Sequence, residues 1–403
     1  MSNKNILIIG NYPPPYGGVP RHIQYLVPSL VENGYKVHIL SGGDTGVNKE
    51  NGITVYKYNK WKRRKSLLNG FRKNLSIWHK YFPQMALNFP KQLYWFISSI
   101  SLGREIVRAK NISLIKAYNF FSSAPIGAIL SKEYSIPLVI SNFGEFFTQE
   151  KFFSQNSSLI NFMINQASRR LCMTKHCAGI YKNLGVNSSY EIVKYGIDLN
   201  VFYPDNSDKT IRTNLGIGND EFTVLYLARM CEEMGLEIFI KAAKYLLKEN
   251  SSLKFIIGGK PETSYQSALA FKKAFPLNVF VIPDIPYSQL PNYYRAADVI
   301  AVPTLGDRAC GSLSAAEAGA CEKPVIASKI GGIPEFIADG QTGVLIPPGS
   351  PQDLASELMK LSKNPKLTYQ MGQAGRSFVE KNFNMDATNK RFLEIFDEEN
   401  KNI

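Results

Sequence analysis

At 403 residues the chain is long enough for two domains, each with its own core, and its 44% hydrophobic content is that of a globular protein, not a disordered or fibrous one. Its net charge of +14 is unevenly shared: residues 1–200 carry 25 Lys+Arg against 9 Asp+Glu, whereas 201–403 carry 22 against 24. Five cysteines without framework spacing argue against a disulfide scaffold and for reduced, buried thiols in the cytoplasm, and Cys172 and Cys177 have no second pair with which to hold zinc.

The first predicted strand, 6–9, is too short for a signal peptide and runs straight into the loop Pro13-Pro14-Pro15-Tyr16-Gly17-Gly18-Val19. A helix bearing Arg21, His22, Leu26 and Leu30 follows and closes at Gly34, ahead of strands at 37–40 and 53–57. His22 reads as a packing or hydrogen-bonding residue more readily than as a proton carrier. Residues 51–100 hold 10 basic side chains and no acidic one, with Lys60, Lys62, Arg63, Arg64, Lys65, Arg72 and Lys73 interleaved with Trp61, Trp78, Tyr81 and Phe82. That mixture suits the headgroup region of an anionic membrane. A solvated basic surface remains the plainer alternative, and nucleic acid is disfavoured because no nucleic-acid motif accompanies the charge. The longest apolar run, near 93–102, is too short and too rich in serine to span a bilayer.

Further strands are predicted at 112–117, 137–141, 178–181 and 190–193, with His176 on a surface loop and Lys175 within reach of an acceptor, though nothing in its spacing demands that role. Gly, Pro, Asn and Asp then cluster at 195–212 as they do in linkers. A second series follows at 223–228, 253–258, 278–282, 298–302, 324–327 and 343–346. Strands alternating with helices in this way predict doubly wound parallel sheets.

The last part of that series is the densest in signals. Strand 299–302 ends at Pro303, Gly311 and Ser312 open a small-residue helix carrying Glu317, and Gly331-Gly332 precede another helix start at Ile333-Pro334-Glu335. Helix N-termini beside glycines point unpaired N–H groups and partial positive charge outward, which suits a phosphate.

Taken in order, these segments resemble glycosyltransferase family 4. The resemblance rests on the Pro13–Val19 loop with its helix, Tyr195-Gly196-Ile197-Asp198 with Phe202 and Pro204, Arg229 after a strand, Leu290, Tyr293, Ala297, Asp298 and Pro303, and the Gly311–Glu317 helix start. It covers nearly the whole chain. It implies an α/β protein of GT-B fold: two doubly wound, Rossmann-like parallel-sheet domains facing across a cleft. The domains are expected at 1–195, on the acceptor side and joined by a helix at 384–399 crossing back, and at 196–383, on the side of the sugar nucleotide.

The implied activity is retaining transfer of a sugar from a nucleoside-diphosphate sugar to a glycan or lipid-linked acceptor, in cell-surface polysaccharide or glycolipid synthesis. The implied location is the cytoplasm, peripheral at the inner face of the membrane. No Asp-x-Asp pair is present, so leaving-group charge falls to cations and N–H groups without a metal, and no cofactor is expected. Arg229 is expected at the diphosphate, Gly17, Gly18, Gly311, Ser312 and Leu313 bring backbone to it, and Glu317 accepts from the ribose hydroxyls.

The chain departs from the family pattern at three places. Met234 stands where a lysine is common, Ala309 where a first glutamate is common, and Phe143 where a histidine is common. Arg308, Asp307 and Glu145 (or Asn142) are candidate replacements nearby. A GT-B subunit that binds nucleotide or glycan and supports a partner transferase is therefore the alternative, although Gly17, Gly18, Arg229 and Glu317 favour an active enzyme.

Overall fold

The computed structural model describes residues 4–13, 18–43, 46–50, 52–58, 90–142, 150–183, 189–205, 207, 209–307 and 309–401. Gly17, Phe143, Glu145, Arg308 and the basic stretch 59–89 lie outside the described residues. The chain divides into two compact units, Met1–Tyr195 with Thr388–Ile403, and Gly196–Ala387.

The first unit is built on an eight-stranded sheet. Its strands are β1 (Asn5–Ile9), β2 (Lys36–Gly42), β3 (Gly46–Glu50), β4 (Ile53–Tyr58), β5 (Leu114–Tyr118), β6 (Leu138–Asn142), β7 (Arg169–Cys172) and β8 (Glu191–Ile192), in the order β3-β4-β2-β1-β5-β6-β7-β8. The helices between them are α1 (Gly18–Glu32), α2 (Pro90–Lys110), α3 (Ala124–Tyr134), α4 (Glu150–Gln155), α5 (Ser157–Gln166) and α6 (Lys175–Asn183). All neighbours pair in parallel except β3 with β4. Strands β5 and β6 are buried along their whole length, as expected of a sheet covered on both faces.

Two elements differ from the sequence expectation. Residues 178–181 are helical, within α6, and the strand of that region is β7, whose Arg169 and Arg170 hide its apolar half. His176 accordingly lies in the first turn of α6, half-buried, not on a surface loop. Strand β3 was not foreseen; all five of its residues are exposed, so it carries no hydrophobic pattern.

The second unit has a six-stranded, fully parallel sheet. It comprises β9 (Thr223–Leu227), β10 (Lys254–Gly259), β11 (Val279–Pro283), β12 (Val299–Val302), β13 (Val325–Ser328) and β14 (Gly343–Ile346), ordered β11-β10-β9-β12-β13-β14. Helices α7 (Thr210–Leu215), α8 (Leu236–Glu249), α9 (Tyr265–Ala274), α10 (Leu290–Ala296), α11 (Leu313–Ala320), α12 (Pro351–Ser362) and α13 (Pro365–Asn382) accompany it. The chain runs outward from β9 through β10 to β11 and then returns to the other side of β9 as β12. The exits of β9 and β12 are thus the topological switch point, where open parallel sheets bind ligands. At the other end of these strands, Arg212 donates to the carbonyl oxygens of Ala296 and Glu221 and pairs with Asp298, whose carboxylate accepts from Thr223 N–H at 2.7 Å. The family-matched Asp298 therefore fixes strand starts, away from the strand exits.

Helix α14 (Met385–Lys401) closes the chain. Its Phe392, Ile395 and Phe396 join the first unit's core with Ile6, Ile8, Ile23 and Leu26. Arg169 bonds Glu398 and Glu399, and Arg391 bonds Glu191, along the helix's polar side. Among the described residues no helix is long and apolar enough to cross a membrane.

Candidate functional site

Three segments of the second unit meet at the β9/β12 switch point. After β9 the chain turns at Arg229, where Tyr226 Oη donates to the Arg229 carbonyl at 2.9 Å. It re-enters helix at Gly235, which has φ +76°; a Cβ there would stand 1.7 Å from the Pro303 carbonyl oxygen, so only glycine lets the two strand exits lie this close. The Leu305 N–H donates to the Glu233 carbonyl at 3.0 Å, and a Cβ on Gly306 would meet the Glu233 side chain at 3.1 Å. The third segment is the turn at Gly331 and Gly332. Gly331 has φ +57° with the Ala309 carbonyl oxygen 2.4 Å from where a Cβ would be, and Gly332 N–H donates to that same oxygen at 2.8 Å.

This junction holds most of the polar groups that the sequence singles out in the second unit. Ser312 is the N-cap of α11, its Oγ accepting from Ala315 N–H at 3.2 Å, so Gly311, Ser312 and Leu313 form a regular helix start. Glu317 is buried, 6% exposed, and Tyr294 Oη donates to its Oε2 at 2.7 Å. Asp307 is exposed on the loop between β12 and α11. Arg229 is held by two carboxylates, Nη1 to Glu262 at 2.9 Å and Nη2 to Glu233 at 3.5 Å, with its side chain 46% exposed.

Neither carboxylate nor the phenol had been singled out. Glu233 was legible in principle, as a partner four residues from Arg229. Glu262 and Tyr294 reach the site only through the sheet order, and the sequence points instead to Tyr293. Of the departures from the family pattern, Met234 packs partly buried against the second unit's core. Ala309 contributes its carbonyl to the Gly331–Gly332 turn.

In the first unit Gly18 opens α1. His22 is buried, stacked on Tyr195 with centroids 3.9 Å apart and edge-on to Tyr118 at 5.6 Å. Burial, aided by the nearby Lys116 charge, holds its pKa down at about 3, so it is a neutral packing residue near neutral pH. Lys116 itself was not foreseen. It is wholly buried in β5, donates to Ser141 Oγ, and lies over the rings of Tyr118 at 4.6 Å and Phe392 at 5.5 Å. Burial lowers its pKa well below the usual lysine range. Cys172, Cys231 and Cys321 are buried and outside any disulfide. Cys177 and Cys310 are not free thiols, so the expectation of five reduced cysteines does not hold.

Two family profiles match the chain: Glycosyltransferase Family 4 over residues 16–201, and Glycosyl transferases group 1 over 207–378. A D-inositol 3-phosphate glycosyltransferase of Thermobifida fusca is 33% identical over 190 residues, 45% of this chain and 43% of that protein. The first curated relatives match over less than half of their own length, 42–44%. Sucrose-phosphate synthase of Thermosynechococcus elongatus has a TM-score of 0.76 at 18% identity, covering 98% of each chain. Anabaena HepE, solved with UDP-glucose, has a TM-score of 0.71 at 19% identity, covering 98% of this chain and 99% of that one. These likenesses establish the fold, and with the two profiles together spanning nearly all of the sequence, the chain belongs to glycosyltransferase family 4 and has the GT-B fold.

Proposed function

We propose that the protein is a retaining glycosyltransferase that moves a sugar from a nucleoside-diphosphate sugar to a glycan or lipid-linked acceptor. The observation that carries this reading is the buried Glu317 carboxylate, fixed by Tyr294 beside the capped start of α11 at the sheet's switch point. A buried, oriented carboxylate next to helix N–H donors suits the two ends of a nucleoside diphosphate, a vicinal diol and an anion. That HepE was solved with UDP-glucose and that the Thermobifida fusca relative is named a glycosyltransferase supports the same reading.

In this mechanism Glu317 accepts the ribose hydroxyl protons and the N–H groups around Gly311, Ser312 and Leu313 face the diphosphate. Arg229 exchanges its carboxylate partners for phosphate oxygens as charge develops on the leaving group. Arg308 supplies the second cation in place of Met234, and Asp307 the sugar contact in place of Ala309. Gly17, Gly18 and Glu145 enter from sequence alone, as backbone near the diphosphate and as the replacement for the missing histidine. No step needs a metal ion.

The basic and aromatic stretch within 51–100 supports peripheral attachment to an anionic membrane, where a lipid-linked acceptor and cell-surface glycan synthesis would be found. A second reading, a GT-B subunit that binds nucleotide or glycan without transferring, is favoured by the burial of Met234 against the core and by the two carboxylates on Arg229. The test is release of nucleoside diphosphate from a panel of UDP-, GDP- and ADP-sugars in EDTA. Turnover with no added divalent metal is expected. Strict dependence on magnesium or manganese contradicts the leaving-group account, and binding without turnover across the panel favours the non-catalytic reading.

A further inference from the structure

We infer that Tyr294 is a positioning residue for ribose recognition, acting through Glu317; this rests on the reading of Glu317 given above. The Tyr294 hydroxyl donates to Glu317 Oε2 at 2.7 Å in a buried setting, and its ring is fully buried. A hydrogen bond to a buried carboxylate offsets part of the cost of burying it and selects one rotamer. An ionised carboxylate offers about four acceptor sites, so a phenol on one oxygen orients it without exhausting it. Glu317 is then aimed before a ligand arrives, which is what bidentate recognition of a vicinal diol requires.

The phenol is itself held by the segment that opens the second unit. Phe202, with no exposed surface, meets the Tyr294 ring edge-on at 5.9 Å and the Tyr287 ring at 5.7 Å. The Phe202 carbonyl accepts from Arg376 at 2.9 Å, and that arginine also bonds the Ala320 carbonyl at the end of α11 at 2.9 Å. Arg295, the residue after Tyr294, donates to the Tyr203 carbonyl at 3.0 Å and lies 4.1 Å over the Tyr203 ring. Phe202, singled out in the sequence, thereby gains a role. It fixes the wall against which Tyr294 stands, and Tyr294 fixes the carboxylate.

The experiment uses the full chain and UDP, GDP or ADP, whichever binds most tightly, with its 2′-deoxy and 3′-deoxy forms. Tyr294→Phe keeps the ring and its contact with Phe202 and removes only the donor. The expected result is a roughly tenfold loss of affinity for the ribonucleotide, the scale of one hydrogen bond to a charged group. Affinity for the deoxy forms stays nearly unchanged, so discrimination between them collapses as it does in Glu317→Ala. A wild type that discriminates, with Glu317→Ala losing discrimination and Tyr294→Phe keeping it in full, overturns the role of Tyr294 and leaves Glu317 as the ribose ligand. Undiminished discrimination in Glu317→Ala overturns the reading of Glu317 and the inference with it. Equal loss for ribo and deoxy forms in Tyr294→Phe marks the tyrosine as merely structural and also overturns the inference.

Discussion

In the proposed function Arg229 carries phosphate recognition, and its surroundings allow a quantitative test. Its side chain is 46% exposed, and its partners Glu233 and Glu262 are 42% and 27% exposed. Ion pairs this open to water contribute on the order of 0.2–1 kcal/mol to folding. A hydrogen bond from the same guanidinium to a charged phosphate oxygen contributes about 1.5–3 kcal/mol. Arg229→Ala is therefore expected to change unfolding free energy by less than about 1 kcal/mol while weakening nucleoside diphosphate binding roughly 10–150-fold. Glu262→Gln is expected to act in the opposite direction. It keeps the side chain's shape and removes a competing charge 2.9 Å from Nη1, so binding should tighten about 2–5-fold, less at high salt. Titration calorimetry with UDP, GDP and ADP reads binding, and urea denaturation reads stability. The reasoning is refuted if Glu262→Gln weakens binding as much as Arg229→Ala does. It is equally refuted if Arg229→Ala costs more than about 2 kcal/mol of stability and leaves binding intact, since the arginine would then be a structural ion pair.

Three further outcomes are expected. Gly235→Ala should cost about 3 kcal/mol or more, adding overlap with the Pro303 carbonyl to left-handed strain, while Gly216→Ala, at φ +68° with nothing within 4 Å, should cost only about 1–2 kcal/mol; denaturation midpoints of the two variants would separate these terms. His22, held neutral down to about pH 3, takes up no proton where the unfolded chain does below pH 6.5, so its contribution is lost as pH falls through that window. His22→Phe, which keeps the stack on Tyr195, should flatten the decline in stability between pH 7.5 and 5, and an unchanged slope would contradict the assignment. Replacing Lys62, Arg63, Arg64 and Lys65 with serine should weaken co-sedimentation with anionic vesicles by on the order of 1 kcal/mol per charge without altering nucleotide affinity; equal sedimentation of variant and wild type would reject membrane attachment.

Most of the parallel strands were legible because they are short apolar runs closed by glycine, proline or a polar turn. Strand β3 was not, since an exposed antiparallel edge needs no apolar residue, and β7 was not, since only Leu171 and Cys172 of its four residues are buried. Lys116 shows the same limit from the other side. A lysine inside a strand reads as solvent-facing, and only the surrounding Tyr118, Ser141 and Phe392 explain its burial. At the site, Arg229, Ser312 and Glu317 stand out because they follow strand ends and helix starts at recognisable spacing. Glu262, 33 residues from Arg229, and Tyr294, 23 from Glu317, become neighbours through long-range contacts that no local pattern encodes. The ion pairs of Arg229 with Glu233 and Glu262 were likewise not legible, so the sequence reads the arginine as open where the structure pairs it with two carboxylates.

Hydrogen exchange of the full chain, with and without a saturating nucleoside diphosphate, tests most directly where the donor binds. The β9/β12 switch point predicts new protection in peptides covering 229–235, 311–317 and 331–335, lost together in Glu317→Ala at the same ligand concentration. Saturated binding that leaves all three segments unprotected, with protection appearing elsewhere, would contradict the assignment of the site.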